Sequence, residues 1–202
     1  MVTDPVPLAG AWVGRAPDQG DLLGARTVQT MHLTRWFAAA SAAFLLAAPT
    51  AMPQSAQARE IVGFSGSYSA GTVVVRTGER SLYYVLGNGK AVRYPVGVGR
   101  SGKQWTGTTM IDGKHLHPAW SPPAEVKHDK PSLPNLIAGG SPRNPMGAAA
   151  LTLAGGQYAI HGTNVPGSVG GFVSYGCIRM YNADVLDLYS RVGLGTTVVV
   201  TR

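Results

Sequence analysis

From residue 72 onward, short β-branched or apolar runs alternate with glycine-rich turns, and this pattern predicts strands. Thr72-Val73-Val74-Val75 is one such run. Ser81–Leu86 and Ala91–Val96 flank Gly87-Asn88-Gly89, and Asn-Gly between apolar segments marks a hairpin. Leu151-Thr152-Leu153 and Gln157–Ile160 read as a further pair, the second delivering His161 at its end, and Thr196–Thr201 closes the chain as a last strand. A single segment has helical period: Val185, Leu188, Tyr189 and Val192 fall at i, i+3, i+4 and i+7, with Asn182 as N-cap and Gly193 as the stop. Between Ser101 and Gly147 the residues are rich in Pro, Gly and polar types with little periodicity. Connections of that length are seldom idle, and we read this one as an ordered loop that contacts substrate or covers the core edge. The expected architecture is a mostly-β domain with one short helix packed on it.

Upstream, the pattern changes. His32-Leu33-Thr34-Arg35 precedes a 13-residue apolar run over 36–48, Pro49 breaks it, and Ala56-Gln57-Ala58 supplies small residues where a signal peptidase reads. A basic flank, a short apolar stretch and an A-x-A site predict a secretory leader over 1–58 with cleavage near 58/59, leaving a domain over 59–202. An uncleaved anchor is the alternative, although a membrane-spanning helix needs roughly 20 residues. Met31 is a second possible start. N-terminal sequencing of exported protein beginning away from Arg59 would refute the cleavage assignment.

Composition narrows the class only slightly. The formal net charge is +7, and residues 59–202 alone hold 14 Lys+Arg against 7 Asp+Glu. These cations are scattered singly, which suits an anionic polymer or envelope surface. No stripe of basic residues interleaved with aromatics points to nucleic acid. His115, His117 and His128 lack acidic or thiol partners at ligand spacing, so no metal site is expected. A phosphate loop with its Lys is likewise missing.

Cysteine usage is more telling. The chain has one Cys, Cys177, so an intramolecular disulfide is impossible and C-x-x-C redox chemistry is excluded. A lone thiol in an exported protein is either an inert core residue or a working one. Its neighbours favour the second reading. Gly176 lets backbone amides approach a reacting carbonyl, Arg179 adds a cation, and the helix start lies just downstream. His161, 16 positions upstream, ends a strand before Gly162. These features predict a thiol of depressed pKa with His161 as its base.

His161-Gly162-Thr163-Asn164 followed by Ser174-Tyr175-Gly176-Cys177-Ile178-Arg179-Met180-Tyr181-Asn182 resembles the signature of the L,D-transpeptidase catalytic domain, the YkuD family. Asn144-Pro145-Met146-Gly147 and Trp120-Ser121-Pro122-Pro123 resemble two further family segments, so the similarity spans about residues 70 to 201. Two stretches depart from it: Tyr175 stands where many members carry a second His, and Trp105-Thr106-Gly107-Thr108 matches the family's Thr-Pro-x-Gly element only loosely.

The resemblance implies a YkuD-like β-sandwich with one short helix after the Cys and a long loop or lid before the His. It implies Cys177 as nucleophile, His161 as base and the Gly162 carbonyl as the group that orients the ring. Ser174, Tyr175, Gly176, Arg179 and Asn182 would build the motif loop and oxyanion site, and Thr163, Asn164 and Trp120 would meet substrate. No cofactor is implied, and a monomer is expected in the periplasm or at the cell wall. The substrates would be peptidoglycan stem peptides, joined 3→3 through a cysteinyl thioester with release of D-Ala. A carboxypeptidase, or a transferase attaching an envelope protein to peptidoglycan, would share every one of these residues. A non-catalytic wall-binding module would be expected to lack Cys177 or His161.

Overall fold

The computed structural model describes residues 59–202, so the apolar run over 36–48 and the cleavage site near 58/59 lie outside the described residues. Eleven strands and two helices are found within that range: β1 (Glu60–Gly63), β2 (Val73–Arg76), β3 (Ser81–Gly87), β4 (Lys90–Pro95), β5 (Val98–Gly99), β6 (Gly107–Leu116), α1 (Ala124–Asp129), β7 (Ala149–Leu153), β8 (Ala159–His161), β9 (Phe172–Ser174), β10 (Ile178–Arg179), α2 (Asn182–Arg191) and β11 (Thr197–Thr201). Nine strands form a mixed sheet in the order β1-β4-β3-β2-β11-β6-β7-β8-β10, and β5 pairs with β9 in a small parallel sheet.

The expected strands are present, and the β3–β4 hairpin turns on Asn88 and Gly89. Their φ angles are 51° and 68°, the left-handed pair that the tightest hairpin turns require. The ladder departs from expectation in the long segment. Its ten-residue strand β6 pairs with β11 through Gly107–Met110 and with β7 through Ile111–Leu116, with a register shift between Ile111 and Gly113. One long strand thus belongs to both halves of the sheet, which close on each other as two layers. Val73, Val75, Leu82 and Tyr94 from one half share a single buried cluster with Leu151, Leu153, Ile160 and Ile178 from the other, and Val185 and Leu188 of α2 join it. Each such aliphatic side chain contributes about 1.5–3 kcal/mol relative to exposure.

Local pattern missed β6 because only Ile111 of its ten residues is buried. It is held by pairing on both edges rather than by an apolar face. Helix α1 was missed for a related reason: none of its six residues is buried. The long segment is therefore a strand, a surface helix and a connecting loop. At α2 the expected capping also fails, because Tyr181 takes the N-cap position and Asn182 begins the helix.

Candidate active site

The site begins with a strand pair. Parallel strands β8 and β10 set Ile178 beside Ile160 and Arg179 beside His161. Both isoleucines point into the core, at 1% and 0% exposure. Side chains alternate along a strand, so His161 and Arg179 share the opposite face, and Cys177 stands directly before β10. Register, rather than chain proximity, sets the strand that ends in His161 beside the strand that follows Cys177.

His161 is buried. Its Nδ1 lies 2.6 Å from the Gly162 carbonyl oxygen. A carbonyl can only accept, so Nδ1 carries the proton and a neutral ring keeps Nε2 as its basic nitrogen. Burial, reinforced by the Arg179 charge, pushes the imidazole pKa down to about 4, against the pull of the Gly162 and Pro145 carbonyls. At neutral pH the ring is a free base.

The thiol corrects an expectation. Cys177 is half-buried and unpaired, and burial raises its pKa above the ordinary value. The Ala159 amide and the Arg179 charge pull downward but are outweighed. The helix start gives little help, since β10 and Met180-Tyr181 separate Cys177 from α2. At neutral pH the thiol and the imidazole are therefore both uncharged. No hydrogen bond joins the two among the described residues.

Around the thiol, the motif loop is tied to itself. The Ser174 hydroxyl donates to the Cys177 carbonyl at 2.6 Å and accepts from the Gly176 amide at 3.1 Å. Gly176 has φ +124°, and a Cβ there would lie 2.2 Å from the Tyr158 ring. No residue but Gly fits. Arg179 reaches the Ser168 hydroxyl at 3.1 Å, while its Nε has no partner.

Asn182 does more than begin a helix. Its Oδ1 accepts from the amides of Ala148 and Thr163, each at 3.0 Å, and its Nδ2 donates to the Thr163 carbonyl at 3.0 Å. The side chain thereby fastens the strand that carries His161 to the start of β7. Asn144, almost wholly buried, organises the other side. Its Nδ2 faces the carbonyls of Pro118, Ile137 and Ala138, and its Oδ1 accepts from Met146.

A sequence profile of the L,D-transpeptidase catalytic domain (YkuD) matches residues 70–200, which hold every one of these groups. The chain belongs to that family. It is 37% identical over 135 residues to the probable L,D-transpeptidase YbiS of Escherichia coli, covering 62% of this chain and 43% of that protein. It is 34% identical over 131 residues to the putative L,D-transpeptidase YkuD of Bacillus subtilis, covering 64% and 65%. The chain thus spans less than half of the Escherichia coli relative. A solved L,D-transpeptidase from Mycobacterium smegmatis shares the fold with a TM-score of 0.52 at 18% identity, over 65% of this chain and 58% of that one.

Other residues that the sequence singled out are placed as follows. Thr163 is buried, and its hydroxyl accepts from the Val165 amide at 3.0 Å. Asn164 is exposed and lines a cleft of about 250 Å³ with His117, Ser141, Asn144, Ala148 and Asn182. Trp120 is half-buried and forms an isolated bridge with Ile137. His115 lies on β6, His117 just beyond it with φ 44°, and His128 on α1 beside Asp129.

Tyr175, the departure from the commonest family pattern, has a defined partner. Its hydroxyl donates to Asp129 at 2.6 Å, and Arg100 pairs with the same carboxylate at 3.0 Å while stacking 4.0 Å above the Tyr175 ring. Tyr175 and Arg100 hold Asp129 well below the usual carboxylate range. Lys103 pairs with Glu125 alongside. Helix α1 is thereby clasped to the motif loop by exposed polar groups. Sequence reading also passed over Trp105 and Tyr158, which stack at 5.1 Å with their rings 8° apart. A Trp at the edge of a poorly matching stretch was the only signal.

Proposed function

We propose that this chain is a peptidoglycan L,D-transpeptidase that forms 3→3 cross-links outside the cytoplasm, with residues 1–58 serving as its export leader. The observation that supports the reading is the parallel pairing of β8, which ends in a buried, neutral His161, with β10, which directly follows the chain's single thiol. The family supplies the substrate class.

In this reading Cys177 Sγ attacks the carbonyl carbon joining a diamino acid to the terminal D-Ala of a tetrapeptide stem. Its proton passes to His161 Nε2, whose orientation is set by the Nδ1–H bond to Gly162. The carbonyl oxygen becomes an oxyanion facing the Cys177 amide, which has no partner among the described residues. The C–N bond then breaks, the leaving nitrogen takes the proton back from His161, and D-Ala departs. A side-chain amine of a second stem attacks the thioester, its proton moves through His161, and the thiol is restored.

Purified protein is to be incubated with disaccharide-tetrapeptide and the products weighed by mass spectrometry. Dimers lacking one D-Ala support cross-linking. Tripeptide alone would replace it with the carboxypeptidase reading, and a Cys177→Ala variant of full activity would overturn the mechanism.

A further inference from the structure

The two residues at the reactive turn offer four backbone polar atoms, and three of them are engaged within the protein. The Gly176 amide and the Cys177 carbonyl are bound by Ser174. The Gly176 carbonyl accepts from the Trp105 indole Nε1 at 2.9 Å. Only the Cys177 N–H remains without a protein partner among the described residues. A trans peptide is planar, so its C=O and N–H point in opposite directions. Fixing the Gly176 oxygen on the indole therefore aims the Cys177 N–H away from Trp105.

The indole is itself immobilised. It stacks on Tyr158, and the Tyr158 ring fills the space beside Gly176 where a side chain would stand. Indole, phenol ring and glycine thus pack together. Ser174 holds the groups on either side of the Gly176–Cys177 peptide, and the Trp105 hydrogen bond holds that peptide's own carbonyl.

We propose that Trp105 is a positioning residue that holds the Gly176–Cys177 peptide so that the Cys177 N–H meets the oxyanion formed during acyl transfer. This rests on Cys177 as the nucleophile. An oxyanion donor fixed in advance loses no free energy to reorientation as charge develops, and deleting one typically costs about 10²–10³ in rate. Releasing a donor that is still present should cost less, about tenfold or more by the same reasoning.

The test uses the full chain with two replacements: Trp105→Phe, and site-specific exchange of Trp105 for benzothienylalanine. The second keeps the ring shape and the Tyr158 stack and removes only the N–H, so it reports even where the Phe variant folds poorly. Two rates are read for Cys177: acylation by the carbapenem meropenem, which passes through an oxyanion, and alkylation by iodoacetamide, which does not. Acylation lowered about tenfold or more, with alkylation within about twofold of the wild type, is the expected result. Unchanged acylation in the benzothienylalanine variant would overturn the proposal, and so would a parallel loss of both rates, since that reports a disturbed thiol. Wild-type protein that meropenem leaves unmodified would instead count against the nucleophile assignment, whatever Trp105 does.

Discussion

Acid should destabilise this protein through His161 in particular, and the size of the effect follows from its surroundings. The buried imidazole has its pKa lowered from 6.5 to about 4. Its folded pKa lies below its unfolded value, so the unfolded chain binds the extra proton first as pH falls. Stability from this group is fully present above about pH 6.5 and is lost as pH drops through about 4. At about 1.4 kcal/mol per pH unit, the loss is about 2 kcal/mol at pH 5 and about 3 kcal/mol at pH 4. The perturbation that isolates it is His161→Gln, which removes the titration and leaves a polar side chain of similar reach. Urea unfolding of both proteins at about pH 7.5, 5 and 4 gives the difference directly. Wild-type protein should lose about 2–3 kcal/mol more than the variant over this range. Parallel loss in the two would show that the ring is protonated or solvated in the folded state, and the free-base assignment would fall.

Two further outcomes test the frame around the site. Asn182→Ala removes three hydrogen bonds and strands the amide of buried Thr163, so we expect a loss of about 2–3 kcal/mol in urea unfolding; a change below about 0.5 kcal/mol would make Asn182 a surface residue in energetic terms. Asp129→Asn should leave global stability nearly unchanged, because its pairs are exposed, yet it should free α1 from the motif loop. Hydrogen exchange over residues 124–130 should rise in that variant and in wild-type protein at about 1 M salt, and equal protection in all three samples would refute the clasp.

How far the sequence disclosed this site depends on whether a residue's partners are local. The hairpin at Asn88-Gly89 and the helical stripe of Val185 and Leu188 were legible because turn chemistry and a one-sided apolar face are local properties. His161 and Cys177 were singled out as candidates by their flanking glycines and the family resemblance. Strand β6 was not, since its stability comes from β11 and β7, and only Ile111 faces the core. Asn182 shows the limit more sharply. A short polar residue before an apolar helix signals an N-cap, yet its amide group is taken by Ala148 and Thr163 from 34 and 19 residues away. The thiol reverses in the same way: Arg179 and the nearby helix start argued for a lowered pKa, and burial, which only the assembled sheet reveals, raises it. Cys177 is therefore a neutral thiol at neutral pH. In the proposed mechanism its reactivity comes from a substrate that brings a carbonyl to the unpaired amide while His161 takes the proton, and a neutral resting thiol is less open to idle oxidation than a free thiolate.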